Sequence, residues 1–382
     1  MDEHKLPELE PTITERRRQT RHSIYRLIYH ADNAPSRAEI AKKLHLSLPT
    51  VNQNLTQLME AGLIREGERK KSTGGRRPVG YEIVDDVRLA IGASISANAI
   101  GFVLCNLKLD ILKEKSIPHD CDADPDLAGT FESQLQNFLQ ENEIPEERLL
   151  GIGLTIPGIY DEKTDQVVIS PTMKMKNVSL KDLVNRSRVP IRVVNDSTAA
   201  GEAELFCTKI DRRRDFVYLL LENGIGGAAY VNGKVYEGNN GRSAEFGHMR
   251  IVPGGRLCNC GQRGCLEAYC SALRFTRDIG LTPEEFFEKV KTGDPACREL
   301  FEDVLDHLAL GIVNIRMAFD CDIVLGGFVA EYLGPYLDML RRKVQDLDPF
   351  ERDASYVRLT KIRSAGRRGA AASFLNPFLD TI

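Results

Sequence analysis

Three cysteines and one histidine fall within eighteen residues of this chain: His248, Cys258, Cys260 and Cys265, spaced as His-x9-Cys-x-Cys-Gly-x-x-Gly-Cys. Four sulfur or nitrogen donors are what a structural zinc ion takes in a closed tetrahedron. A Cys-x-Cys step supplies two thiolates from one tight turn, and Gly261 and Gly264 let the backbone fold round an ion. Three thiolates and a neutral imidazole leave the Zn²⁺ site at net −1, which suits a partly buried cluster. The competing readings are a redox pair or unpaired buried thiols. Cys-x-Cys makes a poor disulfide because so short a loop strains the bond geometry, so the spacing favours structural zinc. Glu245 and Glu267 flank these ligands, and polar groups beside a pinned loop are placed to read a ligand. The other six cysteines (105, 121, 207, 270, 297 and 321) follow no spacing pattern, as expected in a reducing, cytoplasmic setting.

At 382 residues the chain has room for two or three domains. It contains no apolar run of membrane-spanning length, and its charged start is unlike a signal peptide, so no membrane partner is expected. The net charge of −4 is unevenly placed. Residues 1–84 carry 15 Lys and Arg against 11 Asp and Glu, whereas residues 85–382 carry 36 against 44. A basic head on an acidic body points to a nucleic-acid module joined to something else, although charge alone equally fits a solvated face.

Sequence pattern decides more than charge. Ile24, Leu27 and Ile28 recur at helical spacing over residues 15–30 after the basic start Arg16-Arg17-Arg18. Ser36 is placed to cap a short helix, with Glu39 at the capping-box position. Ser47 is placed to cap the next, which bears Val51, Leu55, Leu58 and Met59 and ends at Gly62. Two short helices across a tight turn form a helix-turn-helix, whose second helix enters the major groove of DNA. Ser47, Thr50, Asn52, Gln53 and Asn54 are the polar residues near its start; Asn and Gln suit adenine, and Thr suits a thymine methyl or a phosphate. Leu63-Ile64-Arg65 and Tyr81–Val84 read as strands either side of a basic loop, giving a winged helix-turn-helix over residues 14–84. Arg76 and Arg77, within Gly-Gly-Arg-Arg-Pro, resemble an arm laid in a narrow minor groove. The expected partner is a double-stranded operator; the competing reading is a winged helix used for protein contacts. One small winged helix covers few bases, so a homodimer or homotetramer is expected.

From residue 89 the pattern changes to apolar strands. Leu89–Asn98 and Ile100–Leu104 form one hairpin-like unit, and Phe216–Leu221 with Ala228–Val231, joined through Glu222–Gly227, form a second. Their recurrence implies a duplicated α/β body with a cleft between two lobes, residues 85–197 and 198–382, the last helix being free to return to the first lobe. Ile191–Asn195 is a further strand, ending in Asn195-Asp196, and polar groups at the carboxyl ends of such strands face the binding crevice. The competing reading of Asn195-Asp196 is a simple strand-end turn. Helical stretches are expected around 298–318 and 331–346.

Pro157-Gly158, Asn195-Asp196, Glu245-x-Gly247-His248, the cysteine cluster and Glu267 follow in an order that resembles the ROK family of repressors, open reading frames and sugar kinases. The resemblance covers residues 85–382, and the winged helix looks like that of the family's repressor branch. It implies an actin-like ATPase fold and a hexose-type sugar held by Asn195, Asp196, Glu245, His248 and Glu267. It further implies that His248 serves twice, one ring nitrogen on zinc and the other toward a sugar hydroxyl. In kinases that the chain resembles, the residue matching Asp196 is the general base.

Two departures separate the chain from those kinases. Their first strand ends Asp-x-Gly-Gly-Thr, and the matching positions here are Ser94, Ser96, Ala97 and Asn98. Their Gly-Thr-Gly loop is Glu222-Asn223-Gly224 here. A carboxylate 4 Å from a triphosphate costs on the order of 4 kcal/mol at an effective dielectric of about 20. The expectation is therefore a non-enzymatic, sugar-responsive repressor of carbohydrate genes, released from DNA by sugar. The alternatives are a bifunctional sugar kinase that also binds DNA and a regulator governed by a partner protein. Thr172 stands where family kinases usually carry Asn, which shortens a polar arm near the sugar.

Overall fold

The computed structural model describes residues 12–69, 79–161, 163–208 and 215–382. It divides into two compact units, the first running to Leu89 and including Leu375–Ile382, the second Ala90–Phe374.

In the first unit, α1 (Ile13–Tyr29) opens on a Thr12/Glu15 capping box that sequence reading overlooked. The Ser36/Glu39 capping box starts α2 (Arg37–Leu44), and Ser47 caps α3 (Leu48–Glu60) by accepting from Thr50 N. His45, in the left-handed region, ends α2 and turns the chain toward α3. Two antiparallel strands follow, β1 (Ile64–Arg69) and β2 (Val79–Ile83), with Ile64 opposite Ile83. Arg76 and Arg77 lie outside the described residues. Ile24, Tyr25, Ile40, Val51, Leu55, Leu58 and Tyr81 form the core, each aliphatic member contributing about 1.5–3 kcal/mol by burial. Ile382 is buried in this core, Phe378 and Leu379 pack on it, and Arg21 Nε donates to the Ile382 carbonyl.

The second unit holds two five-stranded sheets. The first is built from β3 (Leu89–Ser96), β4 (Ala99–Cys105), β5 (Ile111–Pro118), β6 (Leu149–Ile156) and β10 (Ile191–Asn195), in the order β10-β6-β3-β4-β5. Helix α4 (Leu127–Glu141) follows β5. A separate three-stranded sheet, β7 (Ile159–Asp161), β8 (Gln166–Ser170) and β9 (Met175–Ser179), precedes α5 (Lys181–Arg186). Helix α6 (Asp196–Cys207) leaves the end of β10. The second sheet contains β11 (Phe216–Leu221), β12 (Ile225–Val231), β13 (Lys234–Val235), β14 (Asp322–Gly326) and β15 (Val357–Leu359), in the order β13-β12-β11-β14-β15. In each sheet a hairpin (β3-β4, β11-β12) sits beside parallel pairing (β10-β6, β11-β14), so the duplicated plan is real. The α/β class and the two-lobed fold read from the sequence both hold.

The second sheet packs against α7 (Glu267–Cys270), α8 (Pro283–Thr292), α9 (Pro295–Phe319), α10 (Phe328–Tyr332) and α11 (Leu337–Leu347) in one large core. Two expectations need adjustment. The stretch 331–346 is broken at Gly334-Pro335 into α10 and α11, because proline has no N–H to continue the ladder. The turn 222–227 is only Glu222–Gly224. Gly226 and Gly227 belong to β12, where a Cβ would meet Ser197 Oγ at 2.3 Å and Ala244 O at 2.4 Å.

Helix α12 (Ala365–Thr381) closes the chain despite Gly366, Gly369 and Pro377. Its first turns lie so close to the first sheet that a Cβ on Gly92 would stand 1.7 Å from Arg367 O, and one on Gly153 1.9 Å from Ala370 O. Gly369 approaches α6 equally closely: its Cβ would be 1.5 Å from Ala199 O.

Candidate sugar cleft, metal cluster and DNA-reading helix

The His248, Cys258, Cys260 and Cys265 ligand atoms all lie within 4.8 Å of one another. Cys260 Sγ and Cys265 Sγ are 3.8 Å apart, and Cys258 Sγ is 3.8 Å from His248 Nδ1. A tetrahedron with Zn–S bonds of 2.3 Å has edges of about 3.8 Å, so the donor set fits zinc in number, chemistry and spacing. The loop earns this shape from its backbone. Gly261 and Gly264 have φ of +83° and +86°, and a Cβ on Gly264 would lie 1.8 Å from Val252 O. Cys258 N donates to Gln262 O, and bridges pair Arg250 with Cys265 and Leu257 with Arg263. The Cys258 and Cys265 thiols are held above their ordinary range, chiefly by burial.

Glu267, at the first turn of α7, ties this loop to the second sheet. Its Oε1 is 3.4 Å from Cys258 Sγ, and its Oε2 accepts from Ile225 N at 3.1 Å. A Cβ on Gly224 would come within 2.9 Å of Glu267 Oε2 and 3.9 Å of Thr172 Oγ1. Gly224, Thr172 and Glu267 thus share one small volume. Thr172 precedes buried Met173, whose N–H bonds Ser170 Oγ, and Lys174 pairs with Asp122 at 2.9 Å.

From the first sheet come Asn195 and Asp196. Asn195 caps α6 by accepting from Thr198 N at 3.0 Å, and its amide also donates to Gly158 O at 3.3 Å. Its strand-end role is therefore filled. Asp196 Oδ1 accepts from Ser197 N and Oγ. Burial raises its carboxyl above the ordinary value, and the Ser197 bonds pull it back. Beside the short turn Phe246–His248, the Glu245 carboxyl is raised above its ordinary value, first by loss of water around it, with His248 opposing and Asp196 and Glu267 adding to it. Since His248 Nδ1 faces Cys258, Nε2 is on the far side of the ring. Glu245 thus lies within electrostatic reach of Asp196, Glu267 and His248, and Asn195 adjoins Asp196 at the start of α6. Gly224 and Thr172 join Glu267; the missing Cβ at a strand turn was the available signal for Gly224.

The positions expected to meet a phosphate are differently furnished. Ser96 Oγ donates to Ala99 O and lies 3.2 Å from Asn98 Oδ1, closing the β3-β4 turn on itself. Glu222 has its carboxyl pushed up to about 8 by burial first and by Asp196 second, with Arg367 opposing. Arg367 Nη2 donates to Glu114 Oε1 at 2.8 Å, and a Cβ on Gly101 would lie 2.0 Å from Arg367 Nη1. Sequence reading missed Arg367, which comes from α12, far along the chain.

On α3 and its cap the outward residues are Ser47, Leu48, Pro49, Asn52, Gln53, Thr56, Gln57 and Glu60, with Thr50 partly covered. Leu48, 53% exposed at the helix start, went unnoticed as an apolar group suited to a thymine methyl. Asn54 does not belong with them. It is buried, and its amide donates to Thr50 O at 2.8 Å; its spacing from Val51 and Leu58 puts it on the core side.

Comparison with known proteins agrees with this architecture. Residues 90–376 match the ROK family, and residues 17–65 match a winged helix-turn-helix DNA-binding domain. The chain is 25% identical over 331 residues to the xylose repressor of Caldicellulosiruptor bescii, covering 81% of this chain and 83% of that protein. It is 24% identical over 360 residues to the xylose repressor of Bacillus subtilis, covering 92% and 94%. It is 27% identical over 328 residues to the DNA-binding transcriptional dual regulator NagC of Escherichia coli, covering 81% and 80%. Among solved structures, a ROK family transcriptional regulator homologous to the E. coli MLC protein superposes with a TM-score of 0.74 at 20% identity, covering 96% of this chain and 97% of that one. A ROK hexokinase from Thermus thermophilus superposes at 0.59 with 26% identity, covering 74% and 96%.

Proposed function

The chain belongs to the ROK family, and from that premise we propose that it is a cytoplasmic, sugar-responsive transcriptional regulator that represses carbohydrate uptake or catabolism genes. What supports this reading is the contrast between two groups of residues in a proposed cleft. Its sugar half gathers Asn195, Asp196, Glu245, His248 and Glu267, while its phosphate half holds a closed Ser96–Asn98 turn and the Glu222 carboxyl. Phosphoryl transfer needs positioned phosphates and charge compensation above all, and the Glu222 carboxyl, protonated or not, offers no positive charge to compensate them. Asp196 then hydrogen-bonds a sugar hydroxyl without acting as a base.

His248, Cys258, Cys260 and Cys265 would hold zinc, which closes the loop as a structural crosslink. That loop positions Glu267 through Cys258, so ligand uptake is felt by both lobes and not lost as local slack. A sugar shifts the protein between states only by binding one of them better. In this reading the closed cleft is favoured, and a homodimer's two winged helices then no longer match half-sites a whole number of helical turns apart. Ser47, Thr50, Asn52 and Gln53 face the major groove, and Arg76 and Arg77 the minor groove.

The test is a gel-shift titration of an operator fragment with a panel of pentoses, hexoses, N-acetylhexosamines and their phosphates, with ATP in parallel. Release of DNA by one sugar without ATP is the expected result. ATP-dependent phosphorylation that Asp196→Asn abolishes would establish the bifunctional kinase instead.

A further inference from the structure

Arg37 is the first residue of α2 and is exposed, yet its guanidinium is engaged on two sides. Nε donates to Tyr81 Oη at 2.8 Å, and Nη1 donates to Asn52 Oδ1 at 2.9 Å. The anchor is rigid. Tyr81 is 1% exposed, its N–H donates to Pro35 O, and Ser36 bridges to Gly80. Gly80 itself approaches Ala34 so closely that a Cβ would stand 2.7 Å from it. The wing strand β2 therefore fixes Arg37, and Arg37 reaches across to the outward face of α3.

A guanidinium donates and never accepts, so the atom of Asn52 that meets it is necessarily the amide oxygen. That sets the amide: its NH₂ points away from Arg37. An asparagine reads adenine by using both ends at once, the oxygen taking N6–H and the NH₂ giving to N7. Here Arg37 takes one lone pair of the oxygen and draws on its electrons, which weakens that oxygen as an acceptor and strengthens the NH₂ as a donor toward the groove. Guanine offers a donor two acceptors in the major groove, N7 and O6, more than any other base.

We propose that Arg37 is a positioning residue for base recognition, holding Asn52 so that the chain selects guanine and not adenine at the base pair beneath it. This rests on the DNA-reading assignment above and amends the sequence expectation that Asn52 suits adenine. Arg37 acts through Asn52 and through its own anchorage on Tyr81.

The experiment is selection from a randomised duplex library by the full-length protein, followed by competition anisotropy on single-base variants of the selected sequence. The wild type enriches guanine at one position per half-site, and Asn52→Ala erases that preference. Arg37→Ala lowers discrimination there on the order of tenfold and admits adenine, while preferences at other positions stay. Arg37→Lys does not restore it, because an ammonium lacks the planar fork that spans both partners. Asn52→Asp, which keeps the Arg37 contact but offers the groove an acceptor, moves the preference to cytosine; it supplies the readout if Arg37→Ala melts early. The proposal is overturned if Arg37→Ala keeps the guanine preference and only weakens every duplex alike, lowering the salt slope by about 1, since that is a phosphate contact. It is equally overturned if Asn52→Asp leaves the selected base unchanged. A wild type that enriches no sequence at all sinks the regulator reading itself, a result distinct from both.

Discussion

Glu267 joins the cysteine loop to the second sheet: one carboxylate oxygen stands 3.4 Å from Cys258 Sγ and the other accepts from Ile225 N at 3.1 Å. Loosening the loop therefore frees a carboxylate of the proposed sugar site. Cys260→Ser is expected to lose bound metal and to weaken sugar affinity by about 10–100-fold, the range typical of supporting positions around a metal. Elemental analysis with calorimetry checks this; unchanged metal content would show that the four donors are misassigned.

Asp196 is a sunken carboxyl bonded only to Ser197 among the described residues. Asp196→Asn keeps the shape and removes the charge, and a hydrogen bond to a charged group contributes about 1.5–3 kcal/mol. Sugar affinity is expected to fall roughly 10–100-fold while DNA affinity without sugar stays put. Parallel calorimetry and gel shift separate the two quantities.

Glu222 gives the pH dependence. Its carboxyl keeps a proton to about pH 8 when folded, whereas an unfolded glutamate releases it near pH 4.3. Folding thus takes up a proton between those values, so this contribution to stability is full below about pH 4.3 and is lost as pH rises through about 8. Glu222→Gln should flatten the melting profile over that window and raise the midpoint at pH 8 by on the order of a few degrees. Melts at intervals from pH 5 to 8.5 report the slope, and an unaltered slope would mean Glu222 is ionised throughout.

Asn54 and Gln53 are neighbours with opposite duties. Asn54→Ala removes a buried hydrogen bond to Thr50 O and should cost about 1 kcal/mol of stability with base preference intact. Gln53→Ala should do the reverse, relaxing preference with stability within about 0.5 kcal/mol. Denaturant midpoints and single-base competition distinguish them.

The first unit was largely legible because its signals are local. Ser36 with Glu39 and Ser47 before an apolar stripe declare helix starts within a few residues, and the cysteine spacing is likewise short-range. Asn54 was legible too: its spacing from Val51 and Leu58 places it inward, and polarity alone misdirected the reading. Other features depend on distant partners. Helix α12 carries Gly366, Gly369 and Pro377, which argue against a helix until the close approach to Gly92, Gly153 and Ala199 is known. The Arg37–Asn52 and Arg367–Glu222 relationships join residues 15 and 145 positions apart, and no periodicity encodes such pairs. The short strands β7–β9 gave no alternation long enough to read.

Gly369 lies against Ala199 with no space for even a methyl group between the two backbones. Helix α6 begins at Asp196, so the segment proposed to meet the sugar and the segment that closes the chain are geared together without play. Any tilt of α6 when a hydroxyl engages Asp196 must turn the start of α12 with it, and alanine at 369 would strip that gear by forcing the two axes apart.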